Sequence, residues 1–201
     1  MKNTKDHILN VTFKLFLQKS FKEVTLKEIV EATKLSKGAF YHHFTSKEQL
    51  FFELVNNVFT SVLEVPYDQF SKASLYNFYI DYVNYYVEKL QQQNGKEEGE
   101  LPDFNYISLI FDAIKIFPDL QERLILSKQA QINAWKDIIN VARANGEINS
   151  TMSDEQIASM FINSSGGVEM NGIFEGSSKL VGETLISLWD GFYGSLKASQ
   201  Q

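Results

Sequence analysis

Apolar residues recur at helical spacing along almost the whole chain. Ile8, Val11, Leu15 and Phe16 define a helix over about Thr4–Gln18 that presents one apolar stripe. Leu26, Ile29 and Val30 share a face of a second, shorter helix, and Thr25 and Glu28 before and within it have capping-box spacing. A break after Thr33 leads to Ser36, whose hydroxyl suits the N-cap of a third helix over about Lys37–Phe44. In that helix Phe40 and Phe44 lie four apart and are expected to pack inward with Leu35, against the stripe of the first helix and Ile29. A fourth helix over Lys47–Glu64 is ended by Pro66.

Beyond Pro66 the pattern predicts helices over Asp68–Gln92, Tyr106–Ile116, Asp119–Ala144, Asp154–Asn163 running on toward Phe174, and Lys179–Lys197. No strand alternation of useful length competes, so the fold class is all-α. Asn94 to Pro102 reads as a loop, and Asn145-Gly146 as a helix stop with glycine in the left-handed region. The fourth helix lies where two domains would meet, residues 1–47 and 48–201, and is the natural lever between them.

The second and third helices, joined by a tight turn, have the organisation of a DNA-reading element. Phe40 and Phe44 pointing inward leave Lys37, Gly38, Ala39, Tyr41, His42 and His43 on the outer side. A helix in the major groove contacts base edges through its N-terminal residues and phosphates through its flanks. Small Gly38 and Ala39 permit close approach. Lys37 suits guanine O6/N7 or a phosphate, and Tyr41 and His42 suit phosphate oxygens or a thymine methyl. Lys47 opens the fourth helix, whose free N–H groups already favour an anion. Read by pattern alone, the same segment also fits a three-helix packing unit with a solvated lysine face.

The run Thr25-Leu26-Lys27-Glu28-Ile29, then Leu35-Ser36-Lys37-Gly38-Ala39-Phe40-Tyr41-His42-His43-Phe44 and Ser46-Lys47-Glu48-Gln49-Leu50, resembles the N-terminal domain of the TetR (tetracycline-repressor) family of bacterial transcription regulators. The resemblance spans Ile8 to Leu50, about the first quarter of the chain. It implies that Thr25, Lys27, Ser36, Lys37, Gly38, Ala39, Tyr41, His42, His43 and Lys47 meet a double-stranded DNA operator, and that the remaining helices form an effector-binding and dimerisation domain. Ser20 and Lys34 stand where the family usually has glycine. Both positions are expected to adopt φ > 0, at a steric cost of about 1 kcal/mol for a residue with a Cβ.

The charge distribution sharpens the division. The net charge is −6, yet residues 1–50 hold nine lysines and five acids, a balance of +4, while the rest carries −10. That asymmetry is expected if only the first domain meets phosphate. Both arginines, Arg123 and Arg143, fall outside the reader, so its base contacts rest on lysine and shape rather than on the bidentate Arg–guanine pair.

Rings crowd the region after Pro66, many of them tyrosines, and a buried phenol needs a hydrogen-bond partner. Tyr82 and Tyr86 at i, i+4 spacing, with Phe104, Tyr106, Phe111 and Trp135, suit contacts to a small-molecule effector that is partly apolar or aromatic. The resemblance implies the effector cavity itself. Glu169, set among glycines and apolar residues, either faces that cavity and selects a cationic or hydrogen-bonding ligand, or is simply exposed. The last forty residues interleave Gly166, Gly167, Gly172, Gly176, Gly182, Gly191 and Gly194 with apolar residues such as Met160, Met170 and Leu188. Small residues let helices approach closely, and the resemblance implies a homodimer through the last two helices, which a palindromic operator also requires.

Other classes fare poorly. With no Cys there is neither a disulfide framework nor a thiolate metal site. Only three histidines occur, and His42 and His43 are adjacent, so they point apart on a helix and cannot join His7 in a triad or a metal site. No catalytic residues, cofactor or metal are therefore expected. No apolar run of about 18 residues is present, so membrane association is not expected and the cytoplasm is the expected compartment. Taken together, the sequence reads as a ligand-responsive, homodimeric repressor released from a palindromic operator by its effector. The alternative is a helical small-molecule-binding or sequestering protein with a vestigial DNA-binding module.

Overall fold

A computed structural model describes residues 4–63, 65–94, 104–175 and 180–197, except for the side chains of residues 58–63, 90–94 and 104–106. Among the described residues every regular element is a helix: α1 (Thr4–Gln18), α2 (Leu26–Thr33), α3 (Lys37–Tyr41), α4 (Lys47–Leu63), α5 (Leu75–Asn94), α6 (Phe104–Ile116), α7 (Asp119–Ala144), α8 (Asp154–Glu175) and α9 (Val181–Leu196). No described helix is long and apolar enough to cross a membrane.

Packing divides the chain into two units, one built from Met1–Val65 and Asp103–Ile125, the other from Pro66–Pro102 and Leu126–Gln201. The first unit therefore contains the reading helices together with α4 and α6, whereas the motif-based cut falls after residue 47. Helix α7 is shared, its first turns in one unit and the rest in the other.

In the first unit α1 packs on α2, α4 and α6, and α4 on α6. Ile8, Phe16, Ile29, Phe40, Phe44, Leu50 and Phe51 are buried together. Each fully buried aliphatic or aromatic side chain of this kind contributes roughly 1.5–3 kcal/mol. The rings of Phe16, Phe21 and Phe51 meet at 4.5–5.7 Å. On α1 the fully buried positions are Ile8, Thr12 and Phe16, so Thr12, not Val11, fills the middle of the stripe.

In the second unit α9 packs on both α5 and α8. Helix α5 starts at Leu75 and not at the expected Asp68. The reason is partly local and partly distant: Ser74 Oγ accepts from Asn77 N–H (3.0 Å), and the Glu147 carboxylate accepts from the backbone N–H of Leu75 (3.0 Å) and Tyr76 (3.2 Å). Those donors at the start of a helix have no intrahelical acceptor, and here three of them find one. The same carboxylate accepts from Tyr193 Oη at 2.8 Å, so it ties α9 to the start of α5. This bond and burial both raise the pKa of Tyr193, burial more strongly.

Gly146 closes α7 in the left-handed region (φ +68°), as its place after Asn145 predicts. Arg143 then holds the turn into α8, donating to Asp154 Oδ1 (2.7 Å) and to the carbonyls of Ser150 (2.8 Å) and Met152 (2.5 Å). At Gly182 an added Cβ would lie 2.7 Å from Val87 Cγ2, so this glycine serves the approach of α9 to α5 within the chain. The expected loop from Asn94 to Pro102 falls almost wholly outside the described residues.

Replacing Glu147 with Ala strips three donors of one acceptor. Hydrogen bonds to a charged group are worth about 1.5–3 kcal/mol each at most. Allowing for water reaching the exposed donors, the expected loss is about 2–3 kcal/mol, read as a lower midpoint in denaturant unfolding.

Candidate nucleic-acid interface

The interface begins with two caps that work as the spacing predicts. Thr25 Oγ1 accepts from Glu28 N–H at 3.2 Å, and the Glu28 carboxylate accepts in return from the Thr25 backbone. Lys19 Nζ also bonds Glu28 Oε1 at 2.5 Å, and this bond is the main cause that lowers the pKa of Glu28. Ser36 Oγ accepts from Ala39 N–H at 3.2 Å and starts α3.

Between the caps lies the turn, where Lys34 occupies the left-handed region at φ +56°. Ser20, expected to share that conformation, does not. Its N–H and hydroxyl instead donate to Glu23 Oε2 at 2.9 and 2.8 Å, a local turn that needs no positive φ.

Helix α3 is shorter than the expected Lys37–Phe44. Past Tyr41 the chain tightens: His43 N–H bonds Phe40 O at 2.9 Å while Phe44 N–H bonds the same carbonyl at 3.2 Å. The inward pair is as expected, since Phe40 and Phe44 are both buried. Thr25, Lys27, Ser36, Lys37, Gly38, Ala39, Tyr41 and His42 are all exposed, and His43 and Lys47 are half-buried. Tyr41 is 46% exposed, a large fraction for so big a ring. A Cβ added to Gly38 would meet nothing within 4 Å, so the fold of this unit does not require a glycine there.

Lys47 is engaged otherwise than the sequence suggests. Its Nζ donates to the carbonyls of Phe21 (2.7 Å) and Val24 (2.8 Å) and lies 4.2 Å from the Phe21 ring centroid. These carbonyls follow α1, where no helical donor reaches them. One N–H of the ammonium is left for an anion. His7 is likewise tied down, with Nε2 3.0 Å from Thr33 O.

The matches to known proteins agree with this geometry. Residues 8–54 match the family described as bacterial regulatory proteins, tetR family. That match spans the first four helices, about the first quarter of the chain. Over 54 residues it is 44% identical to the HTH-type transcriptional regulator QacR of Staphylococcus aureus, covering 27% of this chain and 29% of that protein. It is 25% identical over 135 residues to IcaR of the same species, a negative regulator of the biofilm operon icaADBC, covering 56% of this chain and 72% of the relative. The chain spans only 17–37% of the length of the first curated relatives it matches. Among solved structures, MexZ, a repressor from Pseudomonas aeruginosa, superposes with a TM-score of 0.69 over 100% of this chain and 98% of its own, at 18% identity. That likeness shows the helical fold alone.

The candidate effector residues scatter. Tyr82, Tyr86, Trp135 and Glu169 all belong to the second unit, and Tyr82 and Trp135 are buried in its core. Phe111 does not join them: it lies in the first unit and is 59% exposed, because the inner face of α6 is taken by Leu109 and Ala113. The side chains of Phe104 and Tyr106 lie outside the described ones. Glu169 is half-buried; burial raises its pKa, and the neighbouring Tyr86 phenol offsets part of the rise. Tyr82 is raised mainly by burial and finds Ser165 and Gln131 as partners. Neither partner stands out in the sequence, although each sits one helical turn from a residue that does, Glu169 and Trp135.

Relieving the turn has a measurable result. Lys34→Gly removes the left-handed strain and is expected to stabilise the first unit by about 1 kcal/mol, seen as a higher urea midpoint with an unchanged m-value.

Proposed function

We propose that the protein is a homodimeric transcriptional repressor that binds a palindromic operator through α3 and leaves it when a small molecule occupies the second unit. The observation that carries the reading is the outer face of α3. It combines a lysine, an unobstructed glycine, an alanine and an exposed tyrosine on a helix anchored from behind by Phe40 and Phe44. Lys27, Lys37 and Lys47 supply phosphate contacts, and Gly38 and Ala39 let the helix approach base edges, with Thr25, Ser36, Tyr41, His42 and His43 around them. Repression is the sign favoured by the negative regulator IcaR and the repressor MexZ. No cofactor enters this mechanism, and its expected compartment is the cytoplasm.

A second copy is required because one short helix reads few base pairs, and two set about 34–36 Å apart read both halves of a palindrome. The outer faces of α8 and α9 suit the pairing. Met160 and Leu188 are each 50% exposed, Met170 is exposed, and added Cβ atoms at Gly166, Gly167, Gly191 and Gly194 would meet nothing within 4 Å. The chain crosses between its two units after Val65, after Pro102 and, within α7, after Ile125. An effector acts to the extent that it binds the DNA-free state more tightly than the DNA-bound one.

Gly38→Leu fills space that is open in the folded unit, so stability is expected to hold while affinity for a selected palindromic duplex falls at least about tenfold. Retained affinity in a gel-shift titration would remove α3 from the interface. With Lys27, Lys37 and Lys47 from two heads on phosphate, log Kobs is expected to fall against log salt with a slope of about −5. A slope near zero would contradict phosphate binding by these residues.

A further inference from the structure

Lys34 alone among the described non-glycine residues has a positive φ, 56°. The other position where glycine was expected, Ser20, avoids that conformation by bonding Glu23, so the strain is not a general cost of this fold. At Lys34 the neighbours leave no choice. Thr33 is buried, with its hydroxyl on Val30 O at 2.7 Å and its carbonyl 3.0 Å from His7 Nε2. On the other side Leu35 packs against the core and Ser36 Oγ caps α3. With both sides pinned, the backbone is left-handed whatever residue stands there, and glycine is the unstrained choice.

A strained conformation held by a residue other than glycine points to a use for its side chain. Within the fold Lys34 has none: it is exposed, and its ammonium makes no hydrogen bond or ion pair among the described residues. Solubility does not need it either, because Ala32, two residues back, is exposed on ordinary helical backbone and could carry a charge without strain. What surrounds Lys34 is negative. The carbonyls that end α2 form the negative end of its dipole. Glu31 adds an exposed carboxylate there, met only loosely by Lys27 at 3.9 Å.

In a helix-turn-helix the first helix crosses the nucleic-acid backbone while the second enters the groove. Helix α2 holds the first place here, so its end at Lys34 borders the phosphates, and without a cation this edge would repel them. We propose that Lys34 binds a DNA phosphate and that the strained turn is kept for this contact. The inference rests on the DNA-reading role of α3 and adds to that surface a residue at a position the resemblance leaves to glycine. Its ammonium sits on a flexible four-carbon stem with three donors, suited to meeting a phosphate as a point charge. Such a contact carries no sequence information, because a phosphate is the same beside every base.

The test uses the full chain with Lys34→Gly and Lys34→Asn, both compatible with left-handed backbone and both lacking the charge. Lys128→Gln, which removes one exposed charge from the second unit, controls for net charge. Binding is titrated by fluorescence anisotropy on a palindromic duplex selected by the wild type from a random pool and on a scrambled duplex. One phosphate contact in each of two heads adds about 2 to the steepness of log Kobs against log salt. Both Lys34 variants are therefore expected to lose affinity for the two duplexes by the same factor, and that factor to shrink about tenfold between about 50 and about 200 mM salt. Lys34→Gly is nonetheless expected to unfold at a higher urea midpoint, the opposite of what a lysine serving the fold would show. An unchanged slope, a loss confined to the palindrome, an equal change in Lys128→Gln or a lowered midpoint in Lys34→Gly overturns the proposal. Preference for the palindrome with an unchanged slope defeats this inference and spares the regulator reading. A slope that depends on Lys34 without preference for the palindrome does the reverse, and binding of neither duplex defeats both.

Discussion

The outward face of the reading helix depends on the burial of Phe40 and Phe44. Helix α3 has five residues, far below the roughly 12–15 that an isolated helix needs to be even marginally stable in water. Its conformation is therefore imposed by packing against Ile8, Ile29 and Leu50, with the Ser36 cap fixing where it starts. Once both phenylalanines point inward, helical geometry alone turns Lys37, Gly38, Tyr41 and His42 toward solvent. The rigidity of the face comes from behind it, and this frees the face itself to be small and polar.

The first unit spends its polar groups on turns. Lys47 serves carbonyls that follow α1, Glu28 and Thr25 satisfy one another, and Ser20 and Glu23 close a loop without left-handed backbone. Lys47 thus braces the loop with two of its donors. A charge fixed in this way has already lost side-chain entropy that the exposed Lys37 keeps.

The second unit relies on long-range carboxylates and tyrosines. Glu147 unites the start of α5 with α9, and Tyr79 donates to Asp190, a bond that together with burial raises the pKa of the phenol. Around Trp135 the rings of Phe78, Tyr82, Phe161 and Trp189 lie 4.7–5.6 Å away. The abundance of tyrosine that reads in the sequence as unsuited to a dry core has this physical basis: several hydroxyls have partners on other helices.

What local chemistry decides was legible from the residues alone. Thr25, Ser36 and Gly146 mark helix limits because caps act within about four residues, and the bounds expected for α1 and α7 are those observed. The helix-turn-helix segment was legible for the same reason, being contiguous. At the start of α5 the tertiary structure added the Glu147 acceptor, 72 residues from Leu75, to the local Ser74 cap. It also directed Lys47 to two carbonyls, kept Ser20 out of the left-handed region that Lys34 occupies, and left Phe111 in solvent. Periodicity states which residues share a face, but only the packed neighbours determine what that face meets.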